Sequence, residues 1–228
     1  MPLSDSPDLA ERLSAVRTSI AETAREADRD PDDITLIVVT KVHPASLVRE
    51  LAALGHRDFG ESRHQEAEPK VAALADIDAT WHFVGQLQSN KARHVRAYSN
   101  VIHAVDRESL VAALGGQGPP VDVFLQLNLT DDEARGGATP EEIPRLAERV
   151  STTPGLTLLG LMAVAPLGSV PRAEFERVRL VSERLRESFP EARSLSMGMS
   201  GDFEDAIREG ATHLRIGTAI TGNRPAHG

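Results

Sequence analysis

Apolar residues in this chain fall into two alternating patterns, one with the spacing of a helix and one with that of a strand. After Asp8, Leu9, Leu13, Val16 and Ile20 recur along one helical face, which predicts an opening helix over 7–27. Asp30-Pro31-Asp32 interrupts that pattern. It is followed by Ile34-Thr35-Leu36-Ile37-Val38-Val39-Thr40-Lys41, a β-branched run with the composition of a buried strand, closed off by Pro44. The same alternation then repeats. Strands are predicted at 57–59 (closed by Gly60), 80–84, 100–104, 121–128, 156–162, 194–197 and 213–216. Helices are predicted at 44–54, 61–74, 88–98, 106–114, 139–150, 171–189 and 200–209, with a final helical turn from Gly217. Pro69 is expected to break or kink its helix. Asp106 is expected to cap one helix and Thr139 another, the latter with Pro140 in its first turn.

Eight strands, each followed by a helix and joined by short loops, imply a parallel sheet. The chain is therefore expected to be an α/β protein: a single (β/α)8 TIM barrel over 1–228 with an extra N-terminal helix. Two small Rossmann-like domains are the architectural alternative. The loops are too short to mark a boundary between them.

Composition narrows the function. A chain of 228 residues can bury a large core unaided, and the absence of cysteine removes disulfides, thiolate metal sites and cysteine nucleophiles. Residues 1–4 do not read as a leader, and no apolar run nears the roughly 18 residues of a membrane span. A cytoplasmic protein with no membrane partner is expected. A net charge of −9 argues against nucleic acid as a partner, and Lys91, Arg93 and Arg96 read as a solvated helix face. The histidines show no metal-ligand spacing, so no metal site is expected. Without an obvious exposed apolar helix face, the expected state is a monomer.

Barrels place their chemistry at the C-terminal ends of the strands. Those positions hold Lys41, Gly60-Glu61-Ser62, Gly85, Asn128, Met162, Met197-Gly198-Met199-Ser200-Gly201 and Gly217-Thr218-Ala219. A strand-end lysine can be an ordinary solvated side chain or an amine poised for carbonyl chemistry. Ser200 and Thr218, each in a glycine-containing loop leading to a helix start, can cap their helices or cradle a phosphate. Arg215 points the same way as Gly217, towards a carboxylate or a ligand acceptor. His82 alternates with Trp81 and can line the barrel. Amine, phosphate cradle and arginine together suit an aldehyde-phosphate cofactor held as a Schiff base, namely pyridoxal phosphate.

The sequence also resembles the YggS/PROSC family of pyridoxal phosphate homeostasis proteins over nearly its whole length. The carriers are Val38-Val39-Thr40-Lys41, Phe59-Gly60-Glu61 with Gln65-Glu66, Trp81-His82-Phe83-Val84-Gly85, Leu87-Gln88-Ser89-Asn90-Lys91, Gly160-Leu161-Met162, Leu195-Ser196-Met197-Gly198-Met199-Ser200 and Arg215-Ile216-Gly217-Thr218-Ala219-Ile220. This resemblance implies a fold type III barrel like the N-terminal domain of alanine racemase. It implies pyridoxal 5′-phosphate as a covalent aldimine on Lys41, phosphate contacts from Ser200, Gly217 and Thr218, and Arg215 facing the pyridine nitrogen. His82, Met199 and Ser62 would complete the pocket, Ser62 standing where the family usually has asparagine. Arg135 stands where some members carry a second lysine, and an arginine cannot form an aldimine.

Two functions follow from these residues. One is a non-enzymatic carrier that stores, buffers or delivers the cofactor, with apo pyridoxal-phosphate enzymes as partners. The other is an amino-acid racemase on the same scaffold. A guanidinium facing the pyridine nitrogen keeps that nitrogen unprotonated and weakens the ring as an electron sink. The only tyrosine, Tyr98, sits in a predicted helix, and no second domain is expected to supply an opposing base. The carrier is the favoured reading, with no catalytic residue assigned.

Overall fold

The computed structural model describes residues 8–130, 132 and 135–222. The expectations for residues 1–4 and residue 7 lie outside this range. α1 (Leu9–Glu26) opens on a capping box, in which the Asp8 carboxylate accepts from the Glu11 N–H and Glu11 reaches back to the Asp8 N–H. Then follow β1 (Thr35–Val39), α2 (Ala45–Ala53), β2 (Asp58–Glu61), α3 (His64–Ala72), β3 (Thr80–Phe83), α4 (Ala92–Arg96), β4 (Val101–Val105), α5 (Glu108–Leu114), β5 (Val121–Gln126), α6 (Ile143–Ser151), β6 (Leu156–Met162), α7 (Pro171–Ser188), β7 (Ser194–Ser196), α8 (Phe203–Arg208), β8 (His213–Ile216) and α9 (Thr218–Thr221). Every strand pairs in parallel with the next, and β8 returns to β1, closing an eight-stranded barrel.

The strands bury different chemistry on their two faces. Outward-facing Val38, Phe59, Ile102 and Val123 pack with Val48, Leu51, Leu110, Leu146 and Phe175 of the surrounding helices into one continuous core. On the inner face Gly60 takes a position where a methyl group would stand 3.1 Å from Ile37 Cγ2 and 3.2 Å from Val39 Cγ2. Gly60 thus belongs to β2 instead of closing it, paired with Val39 of β1 at a position where a side chain would be tight against the inward residues of β1. Inside the barrel, Phe124, Met162, Val101 and Ala104 form a small apolar cluster. Buried Arg215, His82, His103 and Ser196 share the interior with it.

Several local expectations are corrected. α3 runs through Pro69, which sits exposed on the helix and gives up one backbone bond without ending it. Asp106 does not cap α5. Its carboxylate pairs with Arg107 and accepts from the Gly137 N–H at 3.3 Å. Thr139 does not cap α6, which starts later, at Ile143; the Thr139 N–H instead donates to Glu142 Oε2 at 2.9 Å in a preceding turn. Arg96 is not part of a solvated cationic face. It donates to the carbonyls of Leu114, Gly155 and Pro119 and so ties loops together.

Among the described residues, no helix is long and apolar enough to cross a membrane. Phe175 on α7 is fully buried. Its replacement by alanine is expected to cost about 3–5 kcal/mol through lost burial and an unfilled cavity. The check is a lower urea midpoint at unchanged denaturant dependence.

Candidate functional site

The C-terminal rim of the barrel begins with Lys41, exposed two residues beyond the end of β1. The turn that carries it is held on both sides. Thr40 N–H donates to the Gly60 carbonyl at 2.9 Å, and its hydroxyl donates to Glu61 Oε1 at 2.7 Å. Lys70 of α3 reaches the same carboxylate at 2.5 Å and the Thr40 carbonyl at 2.9 Å, a buried ion pair beneath the turn. Val42 then takes a left-handed backbone (φ +63°), costly for a β-branched residue, while its N–H donates to Glu66 Oε2 at 3.2 Å. Lys41 is thereby fixed in its backbone, and its exposed amine has no partner among the described residues. Glu61 stands among the strand-end positions and Glu66 among the family motifs, neither with a ligand role, whereas Lys70 has no place in the sequence reading. Lys70 carries no local mark of its role, since nine residues separate it from the carboxylate that it pairs with.

Across the mouth, the loops after β7 and β8 meet. Ser200 Oγ accepts from Thr218 Oγ1 and from the Ala219 N–H, both at 3.4 Å. Ser200 does not cap α8. That helix begins three residues later, and Asp202 accepts from the Met199 N–H at 2.6 Å in the intervening turn. The hydroxyl therefore faces the neighbouring loop. Gly198 allows the close packing beneath: its φ is +93°, and a methyl there would lie 2.7 Å from Ala206 Cβ. Gly217 passes within van der Waals reach of Val39, which brings this pair of loops alongside the strand that ends in Lys41.

Arg215 lies on β8 in register with Ile37 of β1. Its side chain crosses the interior, where Nη1 donates to the Ser196 carbonyl and hydroxyl, both at 2.6 Å, and Nη2 donates to the Ala163 carbonyl at 2.9 Å. Burial draws its pKa down to about 10, so it stays protonated at neutral pH. Among the described residues, Nε–H and the second Nη2 hydrogen have no protein acceptor, leaving donors for a ligand.

The remaining expected residues divide. Met199 is exposed at the rim, and Ser62 follows β2 on the same side. The Ser62 backbone presses so closely on Gly85 that any side chain at position 85 would collide with it. Beside them a cavity of about 250 Å³ is lined by Gln86, Gln126, Asn128, Arg135 and Met162. His82 sits deeper. It is buried, and its two ring nitrogens are taken by His103 Nε2 at 3.0 Å and Asp58 Oδ1 at 3.1 Å. His103 in turn contacts Ser196 Oγ at 2.8 Å and stacks on Phe124. His103, Ser196 and Asp58 were missed by sequence reasoning. The signal available was a set of polar residues on strands that otherwise bury apolar side chains.

Burial holds His103 well below the ordinary histidine pKa, and pulls His213, beside it, down to about 4. The unfolded chain titrates at these positions near 6.5, so between about pH 6.5 and 4 it binds more protons than the folded chain. Stability is expected to be complete with respect to these groups above about pH 6.5 and to fall as pH drops towards 4. His213→Gln should flatten that loss by on the order of 1–3 kcal/mol, as read from urea midpoints at pH 7 and pH 4.5.

The family model "Alanine racemase, N-terminal domain" matches residues 12–225. The pyridoxal phosphate homeostasis protein of Pseudomonas aeruginosa is 43% identical over 224 residues, covering 95% of this chain and 96% of that one. Its Escherichia coli counterpart is 38% identical over 227 residues, covering 95% and 97%. The structure of PipY from Synechococcus elongatus with PLP bound superposes with a TM-score of 0.82 at 37% identity, covering 94% of this chain and all (100%) of that one.

Proposed function

Because the chain belongs to the pyridoxal phosphate homeostasis protein family, built on the alanine racemase N-terminal domain, we propose that it binds pyridoxal 5′-phosphate at the C-terminal rim and holds it reversibly, without turnover of its own. We assign the whole chain to this one barrel domain. The observation that carries this reading is that three kinds of group meet at one mouth: the exposed amine of Lys41, the hydroxyl pair of Ser200 and Thr218, and the unspent donors of Arg215.

These groups suit the cofactor. Lys41 Nζ would hold the aldehyde carbon reversibly, condensation releasing one water and hydrolysis restoring the free amine. Ser200, Thr218 and the N–H groups after Gly217 offer donors to the phosphate. When bound, the cofactor supplies an electrophilic carbon and an electron-withdrawing ring. Arg215, a donor that keeps its proton, leaves the ring nitrogen unprotonated and limits that withdrawal. Met199 and Ser62 border the same mouth, and His82 supports it from below. Arg135 offers a second cation beside the cavity but no amine for the aldehyde.

Tyr98 supports the carrier over the racemase. It is the only tyrosine, its ring stacks on His64 at the start of α3, and burial, with Glu61 and Glu68 nearby, raises its pKa. Its hydroxyl is buried away from the open mouth, which leaves no exposed phenol to take a proton across from Lys41.

Purified protein with added pyridoxal phosphate is expected to be yellow, and borohydride should fix the label on a Lys41 peptide. Lys41→Ala should lose the Schiff-base absorbance yet retain weaker binding through the phosphate donors. A colourless wild-type protein that takes up no cofactor would refute the reading. Loaded protein incubated with L-alanine in deuterated water should show no sustained α-proton exchange. Turnover there would favour the racemase.

A further inference from the structure

The groups behind Arg215 form a continuous line across the barrel. Arg215 Nη1 meets Ser196 Oγ at 2.6 Å, Ser196 Oγ meets His103 Nδ1 at 2.8 Å, His103 Nε2 meets His82 Nδ1 at 3.0 Å, and His82 Nε2 meets Asp58 Oδ1 at 3.1 Å. Five side chains from β8, β7, β4, β3 and β2 thus run from the cofactor rim to the first residue of β2. There Asp58 lines a cleft of about 490 Å³ on the opposite face, together with Arg17, His56 and Arg57. The Asp58 side chain is 30% exposed, whereas His103 is completely buried.

The two ends fix the direction of every hydrogen between them. A guanidinium only donates and a carboxylate only accepts. Asp58 therefore takes the Nε2–H of His82. With one proton on each ring, His82 Nδ1 accepts from His103 Nε2–H, and His103 Nδ1 accepts from the Ser196 hydroxyl. The Ser196 oxygen is left to accept from Arg215. No other assignment of single ring protons makes all four contacts. Burial, which disfavours a second proton on His103, supports this arrangement. The other polar groups facing the line are His213 from β8, Asp122 from β5 and His56 ahead of β2.

We propose that Asp58, His82, His103 and Ser196 form a one-way hydrogen-bond relay that positions Arg215 for the ring nitrogen of the cofactor, with Asp58 as its solvent-side end. The relay rests on the cofactor reading given above. Its members are positioning residues and touch no ligand. Ser196 fixes Nη1 through its carbonyl and hydroxyl together, which turns the unspent donors of Arg215 away from the wall. Asp58 acts at the far end by selecting the tautomer of His82, and through it that of His103.

The test has two arms. In the first, long-range nitrogen–proton NMR on the unliganded wild-type chain at pH 7.5 should show His82 and His103 as Nε2–H tautomers. A proton on Nδ1 of either ring overturns the relay, and this measurement needs no variant to fold. In the second, binding of pyridoxal 5′-phosphate is compared with that of its 1-deaza analogue, in which a C–H replaces the ring nitrogen. Wild type should prefer the natural compound. Ser196→Ala and Asp58→Ala should each cut that preference about three- to tenfold, the worth of one misplaced hydrogen bond. Asp58→Asn, whose carbonyl can accept the same hydrogen, should restore it. An unchanged preference in both alanine variants overturns the relay alone. Failure of the wild type to bind either compound overturns the cofactor reading itself.

Discussion

A guanidinium enclosed by a parallel barrel cannot shed its proton, so its surroundings must be built of acceptors. Arg215 is met by two carbonyls and a hydroxyl at the ends of β6 and β7, with no carboxylate in direct contact among the described residues. Neutral acceptors satisfy the hydrogens of the cation without cancelling its charge. The same condition explains why the barrel interior departs from an apolar filling. Once one strand contributes a buried cation, the neighbouring strands must present polar atoms towards it, and those atoms need partners of their own.

The rim obeys a different constraint. Lys41 is exposed, so its position cannot come from packing of its own side chain. It comes from the turn beneath, where the Glu61–Lys70 pair clamps Thr40 and where Val42 accepts an unfavourable backbone. The buried pair is costly in isolation, yet removing either partner would strand the other charge. Ser200 and Thr218 are likewise held by loop-to-loop contact, and their hydroxyls meet each other instead of closing helix ends.

The fold and the position of the rim residues were legible in the sequence because both are written in local order. Alternating strand and helix patterns predict the barrel, and the strand-end rule brings Lys41, Ser200, Thr218 and Arg215 to one face. Boundaries were less legible wherever a side chain had a stronger tertiary partner. Asp106 gives up its capping position for Arg107 and Gly137, and Gly60 extends β2 because it pairs with Val39 and His82 in the barrel. Of the interior polar line only Arg215 and His82 were legible, as side chains facing the barrel, and its connectivity was not. Its members are separated by between 19 and 93 residues, so no window of sequence holds two neighbours of the chain of contacts.

Barrel enzymes and binders are commonly divided into a face that works and a face that merely holds the fold together. The position of Asp58 blurs that division for this chain. A residue at the entrance of β2, beside a cleft formed with α1 and the turn before β1, shares a row of contacts with the mouth at the other end. If the proposed relay holds, a substitution at Asp58 on the lower face would alter ligand discrimination at the mouth and, by stranding the buried His82 donor, stability as well. Stability and specificity in this barrel are consequently not separable by which end of a strand a residue occupies.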